Sequence, residues 1–211
     1  MNRRSFLLGA PALASCADRR RRLNVLNFSD YIAPDTVPNF EAESGARVRY
    51  TVAETNEEIL ARVMNGNSGW DVIFITHNRI GPMRELGLLA RIDRRKLSNL
   101  DNLSAEFRSP PWDRALDWGV PYMWQSSGIC SELAHEFINY LLRPAVAVAI
   151  VTSAKTATAN GRAQAMLPAA LRDNPALYPP PDVFQRGEWA ATLPPATQRL
   201  RDRLWTEIKS A

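Results

Sequence analysis

Residues 70–75, Trp70-Asp71-Val72-Ile73-Phe74-Ile75, form a nearly continuous apolar run that follows Gly69. Such a run is typical of a strand that is buried on both faces of a parallel sheet. Two earlier segments predict further strands: residues 23–28 are mostly apolar, and residues 47–52 alternate between apolar and polar side chains. Because helical patterns separate the three segments, the sequence predicts an α/β fold with a doubly wound sheet.

The helices have recognisable beginnings and ends in the sequence. A helical pattern from Pro34 to Ser44 stops at Gly45, and Thr55-Asn56-Glu57-Glu58 matches a capping box at the start of the next helix. The other predicted elements are a helix at 80–86, an extended segment at 120–124, helices at 131–142 and from 144 onward, and an amphipathic helix near 196–208.

The first 16 residues predict export and lipidation. Two arginines precede an apolar run at residues 6–14, which is far shorter than the roughly 20 residues needed to cross a bilayer. Residues 2–7 resemble a twin-arginine export motif, and Leu13-Ala14-Ser15-Cys16 resembles a bacterial lipobox, in which the cysteine is acylated. An ordinary thiol in a discarded leader is the alternative for Cys16. We predict an export signal at 1–15, a lipidated tether at 16–22, and attachment to the membrane through lipid rather than through a transmembrane helix.

The positive charge of the chain is concentrated in this leader and tether. The whole chain has 26 basic and 22 acidic side chains, a formal charge of +4. Six of the basic residues and one of the acidic residues lie within residues 1–22, so residues 23–211 carry a net charge of −1. A body of that charge does not favour a nucleic-acid partner.

The sequence contains no recognisable catalytic or metal-binding pattern. His77 and His135 are isolated, and His135-Glu136 lacks the second histidine of a zinc-protease motif. There is no glycine-rich phosphate-binding loop and no nucleophile elbow. Cys130 has no partner if Cys16 is acylated, and we interpret it as a small apolar residue. The sequence therefore predicts a protein that is not an enzyme and has no catalytic residues, metal or cofactor.

Seven segments, taken in order, point to a family. They are residues 26–32, 43–45, 68–72, 92–97, 120–124 and 137–144, and residues 177–179 together with 186–189. In this order and spacing they resemble the periplasmic spermidine/putrescine-binding proteins of ABC transporters. The resemblance implies a periplasmic-binding-protein-like α/β fold, a polyamine ligand (spermidine or putrescine), an ABC permease as partner, and a periplasmic or extracytoplasmic location.

The resemblance is interrupted between Gly128 and Glu132. In the family, the chain passes here from the first lobe into the second and returns only after many more residues, whereas Ile129-Cys130-Ser131-Glu132 joins the two sides directly. The resemblance therefore implies a largely intact first lobe at 23–160 and a second lobe that is mostly missing. Residues 161–211 form a C-terminal segment that would pack on the second lobe in the family.

The resemblance also implies five ligand-binding residues. They are Phe28, Ser29, Asp30, Tyr31 and Thr76. A polyamine needs carboxylates to pair with its ammonium groups and aromatic faces for cation–π contact. Asp30 would supply the carboxylate, Phe28 and Tyr31 would pack on the ligand, and Thr76 would stand for a family serine. The alternatives are a turn or helix-capping role for Asp30 and ordinary core or rim packing for Phe28 and Tyr31.

Three positions depart from the family. Phe28 stands where tryptophan is usual, Thr156 where a ligand tyrosine is common, and Ala190 where some members have glutamine. Each change weakens or removes a contact with a polyamine. We expect a polyamine-binding lipoprotein whose binding is weak or lost. The alternatives are a non-binding one-lobed remnant, a partner-docking protein, or an error in the sequence at the break.

Overall fold

The computed structural model of the chain describes residues 21–65, 69–123, 126–129, 132–188 and 193–210. The predicted export signal and Cys16 lie outside the described residues, as do Cys130 and Ala190. The predictions that rest on those positions therefore stay predictions.

In the described parts of the chain, five strands form one mixed sheet. They are β1 (Arg22–Phe28), β2 (Arg47–Ala53), β3 (Val72–Ile75), β4 (Val120–Pro121) and β5 (Ser126–Ile129). Their order in the sheet is β2-β1-β3-β5-β4. β2, β1 and β3 are parallel, whereas β5 is antiparallel to β3 and β4 is antiparallel to β5. Otherwise parallel sheets often carry antiparallel strands of this kind at one edge.

Helices cover both faces of this sheet. Those in the described ranges are α1 (Thr36–Ser44), α2 (Asn56–Met64), α3 (Ile80–Glu85), α4 (Glu132–Leu141), α5 (Pro144–Ala154), α6 (Gly161–Met166), α7 (Ala169–Arg172), α8 (Pro181–Arg186) and α9 (Pro195–Ser210). α1, α4 and α5 share one core with Leu23 and Val25 of β1, and α2 and α3 share another with Leu26 and Phe28. Because neighbouring side chains of a strand point to opposite faces, β1 separates the two cores. The predicted α/β fold is confirmed as a lobe of three layers.

The third strand is shorter than the apolar run that predicted it. β3 begins at Val72, and Asp71 precedes it in a bend. The Asp71 N–H donates to the Asn24 carbonyl at 2.9 Å, and its carboxylate accepts the Asn24 N–H at 2.7 Å. The Asp71 side chain therefore substitutes for a backbone acceptor where the strand pairing starts.

The capping box at the start of α2 is present with one change. Thr55 Oγ1 accepts the N–H of Glu58 at 3.1 Å, as the motif predicts. The carboxylate of Glu58 accepts the N–H of Glu54 at 2.8 Å, one residue before the N-cap. The side chain still satisfies a backbone donor ahead of the helix, so the helix begins where the sequence predicts.

The predicted break in the family pattern coincides with a short connection. β5 ends at Ile129 and α4 begins at Glu132, so two residues separate the sheet from the helix. β5 pairs with β3 along its whole length, and α4 packs its apolar face on the core below. In the described parts of the chain, β5 and α4 therefore belong to the same lobe.

The C-terminal segment contacts this lobe in its first part. The Asn160 side-chain amide donates to the Leu142 carbonyl at 2.8 Å, and its oxygen caps α6 by accepting the Ala163 N–H. The Tyr178 hydroxyl accepts the Thr158 N–H at 3.1 Å. Contact with the lobe thus continues past residue 160, although α9 exposes three large apolar side chains: Leu200, Leu204 and Ile208.

Among the residues that the structure describes, no single helix has both the length and the apolar composition needed to cross a membrane. α4 and α5 meet those criteria only when taken together, and the chain bends by 72° between them.

Candidate functional site

The predicted ligand-binding residues lie at the carboxyl ends of two adjacent parallel strands. β1 and β3 pair in parallel with Val25 opposite Val72 and Leu26 opposite Ile73. The segment 28–31, which follows β1, and Thr76, which follows β3, therefore lie along one edge of the sheet. Open α/β sheets bind ligands at this edge. We call it the carboxyl edge.

Phe28 and Tyr31 form an aromatic pair at the carboxyl edge. Their ring centroids lie 5.5 Å apart with an interplanar angle of 53°. Phe28 belongs to the core beneath α2 and α3 and is only 9% exposed, whereas Tyr31 is half-buried. Phe28 therefore packs against Tyr31 from the core, and Tyr31 has more solvent-accessible surface for a ligand.

The backbone of this loop is held by a tyrosine that sequence reasoning did not single out. The hydroxyl of Tyr122 donates to the Tyr31 carbonyl at 2.7 Å, and its ring packs edge-on against Phe74 at 4.8 Å between centroids. Burial raises the pKa of Tyr122 well above its usual range, so its hydroxyl remains a neutral donor. No local pattern marks this contact, because 91 residues separate its two ends.

Ser29 and Asp30 project from the loop as exposed side chains in a turn. Asp30 makes no hydrogen bond or ion pair with any described residue. Helix α1 has Asp35 at its N-cap, so Asp30 does not cap that helix. The alternative of a turn position agrees with the structure, and the carboxylate is left accessible to solvent.

Thr76 takes part in a local polar network. Its N–H donates to Asn56 Oδ1 at 3.1 Å, and its hydroxyl lies 2.8 Å from Asn78 Oδ1. The hydroxyl therefore donates within the protein, while its lone pairs can still accept a hydrogen bond from an ammonium group.

Two tryptophans extend the aromatic surface near this edge. The ring of Trp112 stacks on His77, the residue after Thr76, with 6.0 Å between centroids and an angle of 28°. Trp112 and Trp118 both pack against the core beneath α2 and α3. Both tryptophans therefore contribute to the packing around that core. Trp112 was missed, because no spacing signal links it to a residue 35 positions earlier.

The loop that carries Trp118 is held by one carboxylate. Asp113 accepts the backbone N–H groups of Asp117, Trp118 and Gly119 at 3.1, 2.7 and 3.1 Å. These contacts give Asp113 a structural role in the loop. Thr156, at a position where the family commonly has tyrosine, places its hydroxyl 3.1 Å from Met123 Sδ.

In the described parts of the chain, no group of three or more histidine, cysteine, aspartate or glutamate side chains is placed to hold a metal ion.

No protein-family model matches the chain. The chain is 34% identical over 125 residues to the putrescine-binding periplasmic protein SpuD of Pseudomonas aeruginosa, a match that covers 58% of this chain and 34% of that protein. It is also 34% identical over 124 residues to the putrescine-binding periplasmic protein PotF of Escherichia coli, with the same two coverages. Over these residues the chain is similar to periplasmic proteins that are named as putrescine-binding.

The match spans about a third of the length of these curated relatives. A match of this length is consistent with the prediction that most of the second lobe is missing. Among solved structures, a putative spermidine/putrescine ABC transporter protein from Listeria monocytogenes superposes with a TM-score of 0.85 at 17% identity. The superposition covers 90% of this chain and 99% of that one. At this identity the likeness shows the fold, which is that of a periplasmic binding protein.

Proposed function

We propose that this chain is a solute-binding lipoprotein of a polyamine-uptake ABC transporter, and that its affinity for polyamine is low because most of the second lobe is missing. The observation that carries the proposal is the exposed carboxylate of Asp30, which has no partner among the described residues and lies in the same loop as the Phe28–Tyr31 pair at the carboxyl edge. It combines the two kinds of group that a polyamine requires on a chain whose relatives are named as polyamine binders.

The low affinity follows from the small number of groups on one open wall. An exposed ion pair contributes about 0–1 kcal/mol and an exposed cation–π contact about 0.5–1 kcal/mol. Together they amount to about 0.5–2 kcal/mol, whereas micromolar binding requires about 8 kcal/mol. A second wall would add partners and exclude water, which strengthens every ion pair in the site. Only two residues separate β5 from α4, and this short connection supports the proposal that the second wall is missing.

The lipid anchor at Cys16 belongs to the proposal as well. Arg21, the first described residue, forms an ion pair with Glu136 next to the amino end of β1. β1 has seven residues and therefore carries the chain about 23 Å from there to the carboxyl edge. A tether that enters at the amino end would leave the carboxyl edge facing away from the membrane and accessible from the periplasm.

Membrane fractionation tests the anchor. We expect the wild-type protein in the membrane fraction and the Cys16→Ser variant in the soluble periplasmic fraction. Cys130→Ser is the matched control, because it removes a thiol without touching the lipobox and should remain with the membrane. A Cys16→Ser protein that stays bound to membranes would refute lipidation at this residue.

Calorimetric titration of spermidine and putrescine into the purified protein tests the binding. We expect no saturable heat at micromolar protein concentration. A dissociation constant in the micromolar range or below, lost in Asp30→Asn, would show that one lobe suffices and would overturn the proposed impairment. Saturable binding that Asp30→Asn leaves unchanged would refute the carboxyl edge as the site.

A second candidate function, docking to a partner protein, is favoured by α9. Leu200, Leu204 and Ile208 recur every four residues, so they form one stripe on this helix, and each is between 46% and 67% exposed. An antiparallel pair of α9 helices centred on Leu204 would bury this stripe against a second copy. Light scattering over a range of protein concentrations tests docking to a second copy: a dimer that Leu204→Gln abolishes supports it, and a monomer at every concentration refutes it.

A further inference from the structure

Three exposed arginines lie together at the amino ends of β1 and β2. In the parallel pairing of these strands, Arg22 is opposite Arg47, and Asn24 is opposite Arg49. Because alternate residues of a strand point to the same side, the side chains of Arg22, Arg47 and Arg49 lie on one face of the sheet. All three are exposed. We call them the arginine cluster.

Little negative charge offsets the arginine cluster. Arg22 and Arg49 form no hydrogen bond or ion pair with any described residue. Arg47 has one weak partner, because its Nε lies 3.9 Å from Glu41 Oε1 and that oxygen already accepts the Val48 N–H at 2.7 Å. Most of the positive charge of the cluster is therefore available to a partner.

The arrangement of the cluster does not serve the sheet. Like charges directly opposite each other on neighbouring strands are destabilising, and the register places Arg22 opposite Arg47. Charged side chains protect an edge strand from unwanted pairing, which explains arginines on β2. Edge protection does not explain Arg22, because β1 lies inside the sheet between β2 and β3. The cluster therefore points to a negatively charged partner.

The path of the chain brings the cluster close to a membrane. Cys16, the residue proposed to carry the lipid, precedes Arg22 by six residues. Six residues span at most about 22 Å, so an acylated Cys16 would hold the cluster within that distance of the bilayer. Arg19 and Arg20 lie between them in the sequence and have the same sign of charge.

An exposed apolar side chain lies toward the same end of the lobe. α2 begins at the carboxyl edge, where Asn56 accepts the Thr76 N–H, and it covers the face to which Leu26 and Arg22 both point. It ends at Met64, which is 55% exposed. A combination of positive and apolar side chains suits a bilayer surface, where head groups meet acyl chains, better than it suits a nucleic acid.

We propose that this end of the lobe docks on the anionic surface of a phospholipid bilayer, where the arginine cluster pairs with head-group phosphates. The choice of a membrane as partner rests on the anchor proposed at Cys16, whereas the charge of the cluster does not depend on it. Guanidinium groups bind phosphate through paired hydrogen bonds. Each basic side chain held at an anionic membrane strengthens binding about fivefold. The carboxyl edge lies at the other ends of the same strands and stays accessible.

Co-sedimentation with vesicles tests this surface, using the full chain with Cys16→Ser so that acylation takes no part. We expect binding to phosphatidylcholine vesicles that contain about one third phosphatidylglycerol, and much weaker binding to phosphatidylcholine alone. Changing Arg22, Arg47 and Arg49 together to glutamine should weaken binding to the anionic vesicles by about tenfold or more at low salt.

The matched control changes three exposed arginines elsewhere, Arg114, Arg162 and Arg199, to glutamine. It alters the net charge equally and should weaken binding by no more than about twofold. Equal binding to both kinds of vesicle, or equal weakening in the two triple variants, would overturn the proposal. The anchor is tested separately by fractionation of the wild-type protein, so either result can fail without the other.

Denaturant unfolding separates a docking role of the cluster from a structural one. Arg22→Gln combined with Arg47→Gln relieves the repulsion between the two strands, so the variant should unfold at the same or a higher denaturant concentration. The same variant should bind anionic vesicles more weakly. A variant that unfolds more easily and still binds the vesicles as before would show that these arginines serve the fold, and it would refute the docking surface.

Discussion

The two edges of the sheet use their carboxylates differently. We call the edge at which the parallel strands begin the amino edge. There, Asp71 accepts the Asn24 N–H, and Glu41 accepts the Val48 N–H at 2.7 Å. At the same edge, Glu136 forms an ion pair with Arg21. At the carboxyl edge, Asp30 is exposed and has no such partner among the described residues. A carboxylate with a structural partner contributes to stability, whereas an unpaired one contributes little to the fold and remains available for a ligand. The contrast explains why Asp30 is a better candidate for function than acidic residues that are equally close to a strand.

The largest effect that this contrast predicts is at Asp71. Asp71→Ala removes the acceptor for a backbone N–H at the start of β1 and should lower the free energy of unfolding by about 1–3 kcal/mol. Asp30→Ala is the matched control and should change the free energy of unfolding by no more than about 0.5 kcal/mol. The Asp30 side chain is exposed and has no partner among the described residues, so its removal breaks no contact there. Denaturant unfolding measures both. Equal losses in the two variants would remove the distinction between the edges.

A smaller effect is expected at Tyr122, which holds the backbone of the carboxyl edge. Tyr122→Phe keeps the ring that packs on Phe74 but removes the hydroxyl that donates to the Tyr31 carbonyl. Unfolding should become easier by about 0.5–1.5 kcal/mol, the net value of one hydrogen bond. Amide exchange should also accelerate around residue 31 while that of β2 is unchanged. If exchange stays as slow as in the wild type, Tyr122 does not hold this loop.

The acid dependence of stability offers a third test of a carboxylate with a partner. The pKa of Asp93 is lowered to about 2, mainly because the Arg95 guanidinium donates hydrogen bonds to its carboxylate. The Arg95 backbone N–H and the positive charge of Arg95 lower the pKa further. Since the folded pKa lies below the unfolded value, the stabilisation is complete above about pH 4 and is lost as the pH falls toward 2. Asp93→Asn should therefore flatten the fall in stability between pH 4 and 2. A profile that is identical in Asp93→Asn and the wild type would contradict the pairing with Arg95.

The smallest effect is expected at the exposed ion pair between Arg21 and Glu136. Both side chains are about half exposed, so solvent screens their attraction. Glu136→Gln should cost about 0–1 kcal/mol at low salt, and the difference from the wild type should shrink as salt is added. Thermal unfolding at two salt concentrations measures it. A loss of stability that persists in high salt would show that this pair stabilises the fold as the Asp71 contact does, rather than as a screened surface ion pair.

Much of the lobe could be predicted from local patterns. The apolar run at Val72–Ile75 became a strand with all four residues buried, and the alternation from Arg47 became β2. Thr55 caps α2, and Gly45 ends α1 in the left-handed conformation. These features depend on side chains within a few residues of one another, and for that reason they are visible in the sequence.

Other features could not be predicted because they depend on distant residues. The direction of β5, with the sequence Ser126-Ser127-Gly128-Ile129, follows from its pairing with β3 rather than from its composition. The stacking of Trp112 on His77 and the hydrogen bond from Tyr122 to Tyr31 join segments that have no shared pattern. A surface groove likewise has lining residues from distant parts of the chain, among them Asp35 and Arg143.

The sequence by itself predicted the three parallel strands and the family resemblance, and it suggested the carboxyl edge as the place for a ligand, which stays a prediction. The tertiary structure alone decided which acidic side chains have partners. Asp30 and Asp71 each lie beside a strand and have the same chemistry, and nothing local separates them. Asp71 has a partner because folding brings Asn24, 47 residues away, within hydrogen-bonding distance, and no described residue approaches the Asp30 carboxylate in that way.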